Sequence, residues 1–147
     1  MLNEEQKRAV EEFSTDLLVM AGAGTGKTRV LTHKYLHLLK AKIAQVPQIV
    51  AVTFTNKAAD EMRSRIRQEL ETAYYNSDGP EGEYWLRQLE LLEVSAKITT
   101  IHGLCFTLLK QHPVEAGIAP RLAILNEGEE YLFQAKAAKR SLSNLLA

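Results

Sequence analysis

An α/β sandwich around a mostly parallel sheet is the fold class this sequence predicts, and three observations predict it. An apolar run, Leu17 to Met20, feeds directly into a glycine-rich turn, Ala21 to Thr28, and then into a helical pattern through Val30, Leu31, Tyr35, Leu38 and Leu39. A second apolar, β-branched run, Gln48 to Phe54, ends abruptly in polar residues and passes into a long helical pattern. A third, Lys97 to Gly103, does the same on a smaller scale. Strands that alternate with helices in this way build βαβ units, whose strands lie parallel.

The chain opens on a short helix. Asn3 is a good N-cap, Glu4 and Glu5 occupy the first turn, and Val10 and Phe13 supply an apolar face. Gln6 has two possible uses here. It closes a capping box on the Asn3 N–H, or it reads a ligand from just upstream of the glycine-rich turn. On residue chemistry alone the cap is the plainer use.

The turn itself carries Gly22, Gly24, Gly26, Lys27 and Thr28, with Ala21 where the phosphate-loop pattern G-x-x-x-x-G-K-[ST] asks for glycine. A loop between strand and helix aims successive N–H groups at an anion, and the helix behind it adds its positive N-terminal dipole. Lys27 brings a charge for the β- and γ-phosphates, and the Thr28 hydroxyl a ligand for Mg²⁺. The plainer alternative is a strand-capping turn with Lys27 merely solvated; strand before, helix after and the residues Gly22, Gly26, Lys27 and Thr28 argue against it.

The helix from about Lys27 to Lys40 gives way to a polar stretch closed by Pro47, and Gln48 to Phe54 reads as a buried strand. Its tip, Thr53, Phe54, Thr55 and Asn56, is polar and carries one aromatic ring. Ligands of open α/β sheets sit beyond the carboxyl ends of the strands, so this tip and the phosphate loop are expected on one edge. The next helix, about Asn56 to Ala73, places Ala58, Ala59, Met62, Ile66, Leu70 and Ala73 on one stripe. Arg63, Arg65 and Arg67 fall largely off it, most simply as a solvated face. Asp60 and Glu61 lie inside this helix, whereas a Mg²⁺-holding acidic pair ends a hydrophobic strand, so they are set aside.

Tyr74 to Pro80 is a turn-rich loop, expected to be flexible or inserted, and a helix with Tyr84, Trp85, Leu86, Leu89, Leu91 and Leu92 follows. Trp85 reads as core. Lys97 to Gly103 reads as a short strand with Thr100 and His102 at its polar tip, running into a helix from Leu104 to about Gln111. Cys105 falls beside Leu104, Leu108 and Leu109 and reads as a small core residue. Pro113, Gly117 and Pro120 mark a boundary. Beyond it lie a short apolar run, Leu122 to Leu125, and an amphipathic helix with Tyr131, Leu132, Ala135, Ala138 and Leu142.

The totals narrow the classes. At 147 residues the chain is about one domain in size, or one domain and the start of another. Its 18 Lys plus Arg balance 18 Asp plus Glu, so any polyanionic partner must be met by local patches. One cysteine excludes an intrachain disulfide and a multi-cysteine metal site. No segment has the pattern of a signal peptide, and no apolar run approaches the roughly 20 residues of a membrane span. A cytoplasmic protein is the expectation.

Four segments together resemble a known family. Leu2 to Gln6, the loop 21–28, Thr53 to Ala59 and Thr99 to Cys105 match, in order and spacing, the N-terminal motor domain of UvrD/Rep-type superfamily 1 DNA helicases. Ala21 in place of glycine is usual in that family. The run Ile98 to His102 with Cys105 looks closer to the RecB/AddA helicase-nuclease branch.

The resemblance implies a P-loop NTPase (RecA-like) three-layer sandwich, with residues 1–112 the first part of the motor domain and 113–147 the start of a helical accessory subdomain. The sheet is then incomplete here, because further core strands follow the inserted subdomain. It implies ATP and Mg²⁺ as cofactors. Gln6 reads the adenine, and Ala21, Gly22, Ala23, Gly24, Thr25, Gly26, Lys27, Thr28 and Arg29 form the nucleotide site, with Lys27 and Thr28 in the catalytic roles. It implies single-stranded DNA contacts at Thr53, Phe54, Thr55, Asn56, Thr100 and His102, and a helicase-nuclease partner subunit if the second branch applies. The family's acidic Mg²⁺ motif, arginine fingers and second RecA-like domain are not among these residues, so nucleotide binding is expected of this chain and unwinding by it alone is not. Two other readings compete: a small P-loop kinase recruiting Arg63, Arg65 and Arg67 for its acceptor, and a non-catalytic nucleotide- or DNA-binding piece.

Overall fold

The computed structural model describes residues 2–22, 24–119, 121 and 123–145; Ala23, Pro120 and Leu122, named above, lie outside them. It divides into two compact units, Met1–Phe106 and Thr107–Ala147.

The first unit is built from helices around a two-stranded parallel sheet. Helix α1 (Glu4–Glu11) leads through an irregular segment to α2 (Lys27–Lys40), a 3-10 turn (Val46–Gln48), β1 (Val50–Thr53), α3 (Asn56–Tyr75), α4 (Gly79–Ser95), β2 (Lys97–Thr100) and the start of α5 (Ile101–Gln111). The strands pair in register from Val50 with Lys97 to Thr53 with Thr100, so both polar tips leave the same end of the sheet. The α/β class and the parallel pairing are as the alternation of patterns predicts.

Core packing follows the apolar spacing. Tyr35, Leu36 and Leu39 of α2 meet Ala59, Met62, Ile66 and Leu70 of α3, while Trp85 and Leu92 of α4 and Ala51 and Ile98 of the strands close the cluster. The α3 residues recur at steps of three and four, one stripe of a 3.6-residue helix. Trp85 is core, as its pattern implies. Two polar side chains reach backbone partners here: Gln88 Oε1 accepts from the Val46 N–H at 3.1 Å, its Nε2 having no partner among the described residues, and the Tyr84 hydroxyl donates to the Leu39 carbonyl at 2.8 Å. Helix α2 ends in a Schellman pair, Lys42 N–H to Leu39 O and Ile43 N–H to Leu38 O, with Lys42 left-handed at φ 55. The Lys42 ammonium lies 5.2 Å from the centre of the Tyr84 ring.

Tyr35 gives this core a pH signature. Its hydroxyl has no hydrogen-bond partner among the described residues, and burial pushes its pKa from 10.0 to about 12, with the Arg63 charge pulling the other way. The unfolded chain releases this proton first, so the stability is full below about pH 10 and is lost as pH rises toward about 12. Tyr35→Phe is expected to flatten the alkaline fall of the melting temperature without lowering it at pH 7, because it deletes an unpartnered group. Parallel alkaline falls for the two proteins count against this account.

Four sequence expectations change. Leu17 to Met20 is not a strand: it is irregular and exposed, Leu18 at 87% and Met20 at 91%. Apolar character does not make a strand without a ladder partner, and the described strands pair only with each other. The strand expected to be buried is covered on one face only, with Ala51 inward and Val50 and Val52 exposed. The loop Tyr74–Pro80 shrinks to residues 76–78, because α3 runs through Tyr75 and α4 begins at Gly79. Helix α5 starts at Ile101, not Leu104, and Cys105 is exposed on it. Helix α5 has no buried residue, so the apolar pattern around Cys105 is not covered by described residues.

In the second unit, backbone bonds from Ala116, Gly117 and Ile118 to residues 112–114 form a turn in which Gly117 takes φ 65. Helix α6 (Glu127–Leu145) is started by a reciprocal pair, Asn126 Oδ1 accepting from the Glu129 N–H and Glu129 Oε2 from the Asn126 N–H, both at 3.0 Å. Tyr131, Leu132, Phe133 and Leu142 on it are exposed.

Candidate nucleotide site and nucleic-acid interface

The loop 21–28 ends at a helix start left open for an anion. Gly26, the N-cap of α2, is left-handed at φ 82, offers no side-chain hydrogen bond, and no acidic residue occupies the first turn. Helices α1 and α3 are built otherwise, each with a side-chain cap on its first N–H groups. The first N–H groups of α2 therefore remain available donors at a positive dipole end. Gly24, at φ 75, supplies the second left-handed turn.

Lys27 points back across this mouth. Its ammonium donates to the carbonyls of Gly22 at 2.6 Å and Ala21 at 3.3 Å, and the Thr25 hydroxyl donates to the same Gly22 carbonyl at 2.8 Å. The charge thus sits over the loop, on acceptors that a phosphate oxygen outcompetes. Thr28 follows in the first turn of α2, and Arg29 beside it is exposed.

Gln6 is both the cap of α1 and a contact of the loop. Its N–H and Oε1 complete the capping box with Asn3, at 2.8 and 3.0 Å, while its Nε2 donates to the Thr25 carbonyl at 3.2 Å. The carboxamide is thereby pinned across the phosphate loop. A carboxamide has two lone pairs and two N–H groups, and one of each is used here. One acceptor and one donor remain, the pair that a glutamine offers to the N6 and N7 edge of adenine. Residues of α1, α2 and the loop, Gln6, Thr25 and Lys27 among them, line a cavity of about 840 Å³.

These residues fit a nucleoside triphosphate. Backbone donors, a lysine and an oriented carboxamide lie on one cavity. For Mg²⁺ the first turn of α2 offers the Thr28 hydroxyl, and among the described residues no cluster of three or more His, Cys, Asp or Glu assembles. One protein hydroxyl suits an ion held mainly by phosphate oxygens and water. Asp60 and Glu61 are exposed within α3, in keeping with setting them aside.

The second constellation is the end of the sheet. Phe54 is 94% exposed. It is presented by its neighbours: the Thr53 hydroxyl donates to the Thr55 carbonyl at 2.9 Å, and the Thr55 hydroxyl caps α3 by accepting from the Ala58 N–H at 3.2 Å. Asn56 is exposed in the first turn of α3. Thr100, opposite Thr53 in the ladder, is buried, and its hydroxyl accepts from the Gly103 N–H at 3.1 Å, starting α5. His102 is exposed on the first turn of that helix rather than at a strand tip. A side chain on Gly103 would put its Cβ 2.3 Å from Thr99 Oγ1, so glycine is what lets α5 start this close to β2.

A family model described as "UvrD/REP helicase N-terminal domain" matches residues 2–146. The chain belongs to that family. It is 38% identical over 129 residues to DNA helicase II of Escherichia coli (strain K12), covering 88% of this chain and 15% of that protein. It is 40% identical over 135 residues to an ATP-dependent helicase/nuclease subunit of Pelotomaculum thermopropionicum, 90% of this chain and 10% of that one. The corresponding helicase/nuclease subunit of Thermoanaerobacter sp. (strain X514) is 34% identical over 146 residues, 98% of this chain and 12% of the relative. This helicase-family chain thus spans a small part of the length of the curated relatives it matches. Both branches named by the resemblance occur among them.

Sequence reasoning missed three residues that organise this helicase-family domain. Arg63, read as solvated, donates to the Ile98 carbonyl of β2 at 3.2 Å, and Arg67 pairs with Glu93 of α4 at 2.5 Å. Lys34 of α2 donates to the carbonyls of Ala9, at 2.9 Å, and Glu12, at the end of α1. Charge at a long side chain reads as solvent exposure in sequence, and only the fold shows which backbone carbonyls come within reach. No helix among the described residues is long and apolar enough to cross a membrane.

Proposed function

We propose that this chain is the ATP- and single-stranded-DNA-binding first part of the motor of an ATP-dependent DNA helicase, a RecA-like P-loop domain acting in the cytoplasm in DNA repair or recombination. Residues 1–112 are assigned to the motor domain and 113–147 to the start of a helical accessory subdomain. The observation that carries the reading is the uncapped start of α2 with the Lys27 ammonium over its loop and the Gln6 carboxamide beside it. Family membership supports the same reading.

In this assignment Gln6 binds the base and residues 21–29 bind the phosphates. Lys27 holds charge on the β- and γ-phosphates and Thr28 ligates Mg²⁺. Bound ATP supplies the phosphoryl group whose hydrolysis drives movement. Hydrolysis needs charge neutralisation from several directions, and these residues supply one side. Phe54 stacks on a base, with Thr53, Thr55, Asn56 and His102 beside the strand and Thr100 holding the start of α5. The relatives named as helicase/nuclease subunits support a partner chain for the whole protein. Of the three arginines that the kinase alternative recruits, Arg63 donates to the Ile98 carbonyl and Arg67 pairs with Glu93 at the surface, which leaves exposed Arg65 for an acceptor.

Phe54→Ala tests the DNA half. Stacking on an aromatic ring is worth about 1–3 kcal/mol per base, so affinity for an oligo-dT strand is expected to fall about 5- to 150-fold, with ATP binding intact. Equal oligo-dT affinity for Phe54→Ala and the parent protein sinks the assignment.

A further inference from the structure

We propose that Lys34 is a positioning residue for base recognition: it bolts α1 to α2 at the spacing that lets Gln6 reach the phosphate loop. The inference rests on the nucleotide reading above and adds a residue which that reading does not use.

Helix α1 has eight residues and buries only Ala9 and Val10, too little to hold a two-turn helix in one orientation by itself. Its last carbonyls lack intrahelical partners. Lys34, partly buried, donates to two of the carbonyls at that end, Ala9 and Glu12, from the neighbouring helix. Lys34 lies seven residues after Lys27, two turns along the same face of α2. That face therefore presents one ammonium to the phosphate loop and another to the helix that carries Gln6.

At the other end of α1, Gln6 Nε2 meets the Thr25 carbonyl at 3.2 Å, near the limit for such a bond. A shift of α1 by a fraction of an ångström breaks it and turns the carboxamide away from the base. The phosphate contacts come from the loop and α2, where the Lys27 and Thr25 bonds to the Gly22 carbonyl do not involve α1 and hold the loop through such a shift. Loss of the Lys34 ammonium is thus expected to weaken recognition of the base and to spare recognition of the triphosphate.

The test compares Mg·ATP with Mg·inorganic triphosphate on the whole protein by titration calorimetry. Lys34→Met, which keeps the apolar stem, is expected to lower ATP affinity about tenfold and leave triphosphate affinity within about twofold. Lys34→Arg, able to donate to both carbonyls, is expected to retain the parent ratio. Lys34→Gln, with a shorter neutral donor, is expected to fall between, and it carries the test if the Met variant does not fold. Gln6→Ala separates the two layers of argument. If it lowers the ATP-to-triphosphate ratio while the Met and Gln variants of Lys34 do not, the role of Lys34 is overturned and base reading by Gln6 stands. If Gln6→Ala also leaves the ratio unchanged, the base reading fails and takes this inference with it. Equal loss of both ligands in Lys34→Met reduces the residue to fold support and overturns the proposal.

Discussion

Lys27→Ala is expected to raise the dissociation constant for Mg·ATP on the order of a hundredfold, with oligo-dT affinity unchanged. The magnitude follows from the chemistry of the interaction that the substitution removes. A charge-assisted hydrogen bond to a phosphate is worth about 1.5–3 kcal/mol, and about 2.7 kcal/mol is roughly two decades of affinity. Lys34, the next lysine on that face of α2, is held at the end of α1 and does not substitute. The selectivity comes from position, because Phe54 is presented by its own neighbours Thr53 and Thr55 and owes nothing to the loop. Lys27→Arg is not a rescue, since a planar guanidinium is larger than the ammonium that now fits onto the Ala21 and Gly22 carbonyls. The loop keeps its two left-handed glycines in every variant, so thermal stability is expected to stay near that of the parent. Calorimetric titration with Mg·ATP and anisotropy with labelled oligo-dT give the two readouts. Undiminished ATP affinity in Lys27→Ala removes the loop from the nucleotide site.

The order of elements was legible because each rests on a local signal. Asn3 and Glu4 announce α1, the glycines and Lys27 announce the turn into α2, and the Ala59, Met62, Ile66, Leu70 stripe announces α3. What failed depends on partners far along the chain. Leu17 to Met20 has the composition of a strand, but a strand is a pairing, and composition does not say what pairs with it. Cys105 has the neighbours of a core residue, but burial is set by what lies on the helix, and α5 is uncovered among the described residues. The candidate site divides the same way. The glycine-rich turn into α2 was legible from residue types, whereas the bond from Gln6 to Thr25 spans 19 positions and joins an apparent cap to the loop. The capping box and the bond to the loop come from one side chain, so the cap fixes where the carboxamide lies.

Leu39→Ala is expected to cost about 2–5 kcal/mol of stability, the usual range for a leucine removed from a closed core. Leu39 is 0% exposed and belongs to the cluster in which α2, α3 and α4 meet, so few side chains are free to collapse into the space it leaves. Its carbonyl also anchors the end of α2, accepting from the Tyr84 hydroxyl and the Lys42 N–H. A domain of this size has about 5–15 kcal/mol in total, and 1 kcal/mol moves the melting temperature of roughly 100 residues by about 4–8 °C. The melting temperature followed by circular dichroism is therefore expected to drop by at least about 8 °C. Leu39→Met, which keeps the volume, is expected to cost less than about 1.5 kcal/mol. Function separates cleanly from this loss. Leu39 lies roughly 18 Å along α2 from Lys27 at about 1.5 Å per residue, so ATP affinity measured well below the new melting temperature is expected to match the parent. A variant that melts with the parent disproves the packing of α2 against α3 and α4. One that melts early and also loses ATP affinity in the cold shows instead that the core and the phosphate loop are a single cooperative unit.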